Sequence, residues 1–159
     1  MRTDERSSFD LKTFLFFVGG TLLAGFLGGL LGGTSGYETL RAPALAPPAF
    51  LFPIVWTILY LLSGIAAYLV YQSRDQDRAP ALRRYLLTQA VSVTWPFFFF
   101  RLGWRGFALL WLILLLVLLA VTVIAFRPIR PATLWLLLPY LLWCLFAAYL
   151  NIAYYWLNR

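Results

Sequence analysis

The sequence predicts an all-α integral membrane bundle of five transmembrane helices, and three observations carry that expectation. Of the 159 residues, 62% are hydrophobic and 12% charged, whereas soluble domains are roughly half apolar and one quarter charged. Mean hydropathy is +0.80. The charges fall in clusters that leave five apolar stretches, each close to the roughly 20 residues a spanning helix needs.

The first stretch runs from Phe14 to Leu31. It reads as a retained span and not as a cleaved leader, because Asp4, Glu5 and Asp10 interrupt the start and further spans follow. Residues 1–13 are then an N-terminal tail, and 14–158 a single membrane domain. The second stretch covers Phe50–Tyr71, the third Leu82–Phe100, the fourth Gly106–Phe126 and the fifth Thr133–Leu157. The third is the weakest, since its charge-free part begins only at Tyr85; it gains length if Arg83 and Arg84 snorkel to the interface. Short loops follow spans two, three and four, which makes successive helices antiparallel neighbours. Between spans one and two, Thr34–Ala49 carries Gly36, Pro43, Pro47 and Pro48, a composition that suits a structured loop lying over the bundle as a lid.

Charge gives the orientation. Arg2, Arg6, Lys12, Arg74, Arg78, Arg83, Arg84, Arg127 and Arg130 fall on one side, and Arg41, Arg101, Arg105 and Arg159 on the other. In a plasma membrane this bias places the N-terminus in the cytoplasm and the C-terminus outside; which membrane holds the chain is not written in the sequence. The net charge of +7 reads as topology and contact with membrane lipids, not as a nucleic-acid surface. Histidine is absent and Cys144 is the single cysteine, so no disulfide forms within the chain, no common metal-ligand set assembles, and hydrolase triads lack their imidazole. No catalytic residue, metal site or resident cofactor is expected.

Within the spans, small residues and aromatics form patterns. Gly25, Gly29 and Gly33 recur at four-residue steps, with Gly28 and Gly32 on an adjacent stripe. Such spacing lets two helices approach closely, either in a homodimer or against a neighbour in the same bundle. In the second span Pro47 and Pro48 can start the helix, and Phe52, Trp56, Tyr60 and Ser63 share a face. The third aligns Gln89, Ser92, Pro96 and Phe99, and Pro96 frees the Ser92 carbonyl from its helical bond. The fifth aligns Tyr140, Trp143, Ala147, Leu150 and Asn151, with space beside Trp143 where Ala147 is small. Three helices thereby offer aromatic walls with a few uncharged polar groups, as a pocket for a flat apolar ligand requires. Interfacial belts are the alternative, and they account for Trp104, Trp135, Tyr154, Tyr155 and Trp156 better than for Trp56, Trp95 and Trp143.

The strings PALAPPAFLFPIVWTILY, QAVSVTWPFFF and PYLLWCLFAAYLNIAYYWLN, in this order, resemble the TspO/MBR family of tryptophan-rich sensory proteins and translocator proteins, the peripheral-type benzodiazepine receptors. The resemblance runs from about Thr21 to Asn158. It implies a five-helix bundle, often dimeric, that binds porphyrins, synthetic isoquinoline carboxamides and benzodiazepines, and in eukaryotes cholesterol. Trp56 and Trp143 match the family's pocket tryptophans, and Tyr37, Pro47, Pro48, Phe52, Phe99, Ala147 and Leu150 match other pocket or lid positions. Gly36, Ala44 and Leu45 stand where the family has aromatics, and Ser92 where it has asparagine. The function implied is a receptor or translocator for protoporphyrin IX or haem in tetrapyrrole regulation or stress response, with Arg41 as a partner for propionates. The alternatives are light- and oxygen-dependent porphyrin degradation through Trp56 and Trp143, and transport of sterols or other small molecules. Leu150, Tyr154 or Tyr155, and Arg159 fit a loose sterol-contact pattern. Iron ligation would fall to Cys144 or a tyrosine, which favours metal-free porphyrin.

Overall fold

The computed structural model describes residues 9–33 and 39–159, so Tyr37 and Gly36 lie outside the described residues. The described residues form five α-helices and no strand: α1 (Leu11–Gly32), α2 (Leu51–Tyr71), α3 (Arg78–Pro96), α4 (Arg105–Ile129) and α5 (Ala132–Leu157). Each matches a predicted span to within a few residues. α1, α2, α4 and α5 are long and apolar enough to cross a bilayer. α3 is not, by composition, because Arg78, Arg83 and Arg84 occupy its first turns.

Helix ends follow local chemistry. Asp10 caps α1: its carboxylate accepts from the Lys12 N–H at 3.0 Å and from the Thr13 hydroxyl at 2.5 Å, serving donors that the first turn leaves open. Its own N–H donates to the Tyr68 hydroxyl of α2 at 3.1 Å. The Thr13 hydroxyl, then the neighbouring backbone N–H groups and Lys12, hold the Asp10 carboxyl below its ordinary value. A depressed carboxyl stabilises the fold above its unfolded pKa, and that contribution disappears as pH falls through the folded value. Amide exchange in the first turn of α1 is therefore expected to quicken below the usual carboxylate range, and to lose that acid dependence in Asp10→Asn.

α2 begins at Leu51, later than the Pro47–Pro48 start expected from sequence. The prolines precede a turn in which the Leu51 N–H reaches the Pro48 carbonyl at 3.0 Å, and Pro53 takes the first-turn position where a missing donor costs nothing. The helical path continues past Pro96, the last residue of α3. Without an N–H at Pro96, and with its ring against the preceding turn, the chain widens into one turn of π-helix over Phe97–Arg101.

Around the bundle the order is α1, α2, α5, α4, α3 and back to α1. The expectation that α2 and α3 would be principal neighbours is corrected, since they meet only sparsely and α1 packs against both. The cause is the glycine stripe. A Cβ at Gly25 would strike the Tyr60 ring, one at Gly28 the Val93 carbonyl, and one at Gly32 would lie 2.6 Å from Pro96 Cβ. Gly64 of α2 returns the approach, with Val18 Cα 2.9 Å from a Cβ built there. Gly25, Gly28 and Gly32 thus serve packing inside the bundle, whereas Gly29 and Gly33 face open space.

In lipid, apolar burial gives helices little reason to associate, so close packing and hydrogen bonds between helices carry the assembly. The interior supplies them. Thr21 and Tyr85 join α1 to α3 at 2.6 Å, Thr88 and Thr122 join α3 to α4 at 2.8 Å, and Gln89 donates to Ser63 of α2 at 3.3 Å. α3 and α5 have no backbone contact among the described residues. They meet through side chains across the centre, where the candidate site lies.

Candidate functional site

Tyr60 of α2, Ser92 of α3 and Tyr140 of α5 form a buried hydroxyl triad at the centre. The Tyr60 and Ser92 oxygens are 2.9 Å apart, and Ser92 also pairs closely with Tyr140. The short Ser92 side chain sits between two phenols, and this is where its hydrogen-bonding capacity goes. Trp56 covers the triad, 5.7 Å from Tyr60 and edge-on to Tyr140 at 5.9 Å. Beyond it the rings continue as a column: Trp56 stacks on Trp95 at 6.5 Å, and Trp95 on Phe99 at 5.0 Å. The Trp95 indole donates to the Ala108 carbonyl of α4 at 3.1 Å, which fixes the ring plane.

Past the column lies a small cavity of about 20 Å³, lined by Phe52, Trp95, Phe99, Phe100, Ala147, Leu150, Asn151 and Tyr154. The π-turn matters here because it carries Phe99 and Phe100 into the wall. Ala147 provides the gap expected of a small residue at that position. Trp143 stands behind Phe52, with ring centroids 6.0 Å apart, and also touches Phe146 at 5.6 Å. Its indole nitrogen is buried with no acceptor. Trp56 and Trp143 are not in ring contact with each other among the described residues, so the two are not a preformed sandwich.

Asn151 lines the cavity but spends its amide on α4. With its nitrogen facing the Arg105 carbonyl (2.9 Å) and its oxygen facing the Leu109 N–H (3.3 Å), it ties α5 to the start of that helix. The loop before α2 covers this end. Leu40 and Ala46 pack against the core, Pro43 is buried, and Asn158 clamps the backbone of Arg41 from both sides, accepting from its N–H at 2.8 Å and donating to its carbonyl at 3.1 Å. Arg41 itself is exposed, as is Pro48, while Pro47 is half-buried.

Sequence reasoning therefore missed Trp95, Phe100 and Tyr154 as walls and Asn158 as the clamp. The WPFFFF string was the available signal for the first two; Asn158 acts through loop backbone and left no pattern. Tyr154, assigned to the interfacial belt, is buried against Phe99 at 6.1 Å, while Trp104, Trp135, Tyr155 and Trp156 are exposed as a belt requires. The sterol-pattern residues divide in the same way. Leu150 and Tyr154 point inward and Tyr155 outward, and Arg159 lies over the Trp156 ring at 3.8 Å.

The profile of the TspO/MBR family matches residues 17–157. The chain belongs to the TspO/MBR family. Similar proteins include the translocator protein of Bos taurus, 33% identical over 144 residues that cover 84% of this chain and 85% of the relative. The tryptophan-rich sensory protein of Cereibacter sphaeroides is 31% identical over 142 residues, 89% of each. The tryptophan-rich protein TspO of Chlorobaculum tepidum is 34% identical over 125 residues, 77% of this chain and 78% of that one. Membership of the TspO/MBR family and four membrane-length apolar helices make this an integral, multi-pass membrane protein. Outward-facing Phe16, Ile124 and Trp135, each more than 70% exposed, are side chains suited to lipid.

Proposed function

We propose that this TspO/MBR protein is a membrane receptor for a flat apolar ligand of the porphyrin class, protoporphyrin IX in preference to haem, held beneath the loop before α2. The observation that carries the reading is the aromatic cavity between α2, the π-turn and α5, together with the unpartnered N–H of Trp143, whose ring packs on the cavity-lining Phe52. Stacking on Phe52, Trp95 and Phe99 supplies apolar contact, and a ligand carbonyl or carboxylate supplies the missing acceptor. Cys144 is fully buried in the core and does not line the cavity, which leaves haem iron without a thiolate at hand. In this reading all five helices span. α3 offers 19 residues and the π-turn five more, roughly 36 Å at about 1.5 Å per residue, enough for a hydrocarbon core of ~30 Å.

Titrating the purified protein with protoporphyrin IX and with haem tests the proposal. Saturable quenching of tryptophan fluorescence is expected for the metal-free ring, and haem spectra without strong axial-ligand bands. A haem complex with such bands, or porphyrin quenching that does not saturate, would count against it.

At about 20 Å³ the cavity is far smaller than the roughly 300–1,000 Å³ typical of ligand pockets, so a tetrapyrrole enters only if the loop lifts and the aromatic walls part. Asn158 holds that loop. Net hydrogen-bond contributions of about 1 kcal/mol each predict that Asn158→Ala speeds porphyrin association by roughly fivefold or more in stopped-flow quenching. An unchanged association rate would mean that the clamp does not gate entry.

A further inference from the structure

A second groove lies at the opposite end of the bundle, between the first turns of α3 and the last turns of α4, with a volume of about 500 Å³. Its two walls differ. α4 contributes Val121, Ile124 and Ala125, while α3 and the turn before it contribute Asp75, Asp77 and Arg84. Asp77 and Arg84, seven residues apart, fall on one face of α3 with Ala81 between them as a flat floor. Because α3 runs from the surface inward, the carboxylates are outermost. The Arg84 backbone lies roughly 10 Å deeper, its side chain leaning back toward the carboxylates, and the apolar strip of α4 reaches deeper still.

These charged groups are not consumed by the fold. Asp77 stands at the N-cap position of α3 yet makes no side-chain cap bond. Asp75 uses one oxygen to accept the Asp77 N–H at 2.8 Å, leaving the other free of that turn. The Arg84 guanidinium has no hydrogen-bond or ion-pair partner among the described residues. All three side chains are exposed, and charges that the fold leaves unpaired at a membrane interface are open to lipid headgroups of complementary charge.

We propose that this groove binds a zwitterionic phospholipid with a primary ammonium headgroup, of the phosphatidylethanolamine class. Three groups line up in order along the axis: ammonium at Asp75 and Asp77, phosphate at Arg84, acyl chain along Val121 and Ile124. A phosphatidylglycerol headgroup carries no cation for the two carboxylates, and a choline headgroup has no N–H to donate to them. The surrounding arginines alone would favour anionic lipid, so the carboxylate pair is what makes the groove selective.

Native mass spectrometry of the full chain, titrated with phosphatidylethanolamine, phosphatidylcholine and phosphatidylglycerol of matched acyl chains, tests this. The ethanolamine lipid is expected to bind roughly fivefold tighter than either other lipid, the scale of one or two partly exposed charge pairs. In the double variant Asp75→Asn, Asp77→Asn the ratio should fall to about one. Arg84→Gln should weaken the ethanolamine and choline lipids by the same factor, and Ala125→Trp, which fills the apolar strip, should weaken all three lipids. Helix content by circular dichroism confirms that each variant is folded. Equal binding of the three lipids, a preference for phosphatidylglycerol, an ethanolamine preference that survives loss of both carboxylates, or indifference to Ala125→Trp would each overturn the proposal.

Discussion

Gly28→Ala is expected to destabilise the bundle while Gly29→Ala, one residue along the same helix, leaves it unharmed or slightly strengthened. The Cβ added at Gly28 meets the carbonyl oxygen and Cα of Val93, and backbone cannot rotate away as a side chain can. α1 and α3 must separate, which places the cost at or above the top of the roughly 1–3 kcal/mol that overpacking exacts. At Gly29 nothing lies within 4 Å, so only the helix propensity changes, in favour of alanine by up to about 1 kcal/mol. Thermal or detergent unfolding followed by far-UV circular dichroism reads both. Midpoints shifted equally by the two substitutions would show that α1 does not pack as described. The effect should reach the site as well, because Gly28 and Gly32 press on Val93 and Pro96, and Pro96 begins the π-turn that carries Phe99 and Phe100 into the cavity wall. A ligand assay on Gly32→Ala would then show weakened binding even where the bundle stays assembled.

That chain of contacts also explains how far the sequence could be read. The five helices were legible because clustered arginines and prolines bound each apolar run, and the aromatic faces of α2, the π-turn and α5 were legible from helical spacing. The glycines showed that some helix would come close, but not which one. Gly25 and Gly29 are equivalent by spacing and opposite in the fold, since only the neighbouring helix decides between them. Ser92 and Asn151 read as free polar groups because their partners are distant in sequence: Tyr60 and Tyr140 for one, the Arg105 carbonyl and Leu109 N–H for the other. Pro96 signalled a break, and the chain answered with a wider turn, which brings Phe100 into the cavity wall beside the expected Phe99. Asn158 carries no periodic signal at all, because it clamps the backbone of a loop more than a hundred residues earlier.

The largest functional effect is expected at Trp143, and its two substitutions should separate stability from binding. The buried indole N–H without an acceptor costs the ligand-free fold about 1–3 kcal/mol. Trp143→Phe removes that donor, keeps an aromatic surface against Phe52, and should leave the ligand-free protein as stable as the parent or more so. The same substitution should weaken porphyrin binding roughly tenfold, because the acceptor the ligand would supply has lost its donor. Trp143→Ala loses the ring too and should approach a hundredfold loss, on the scale of a binding hot spot. Trp56→Phe should do less: neither tryptophan lines the cavity itself, but Trp143 packs on its Phe52 wall with a donor unpaired, whereas Trp56 reaches it only through Trp95. Fluorescence titration with protoporphyrin IX gives the affinities and thermal midpoints give the stabilities. Parent-like affinity in Trp143→Phe would remove the hydrogen bond from the binding scheme, and parent-like affinity in Trp143→Ala would remove the site itself. A stability gained and an affinity lost by the same substitution would mark Trp143 as a group held in an unfavourable state for a ligand to complete.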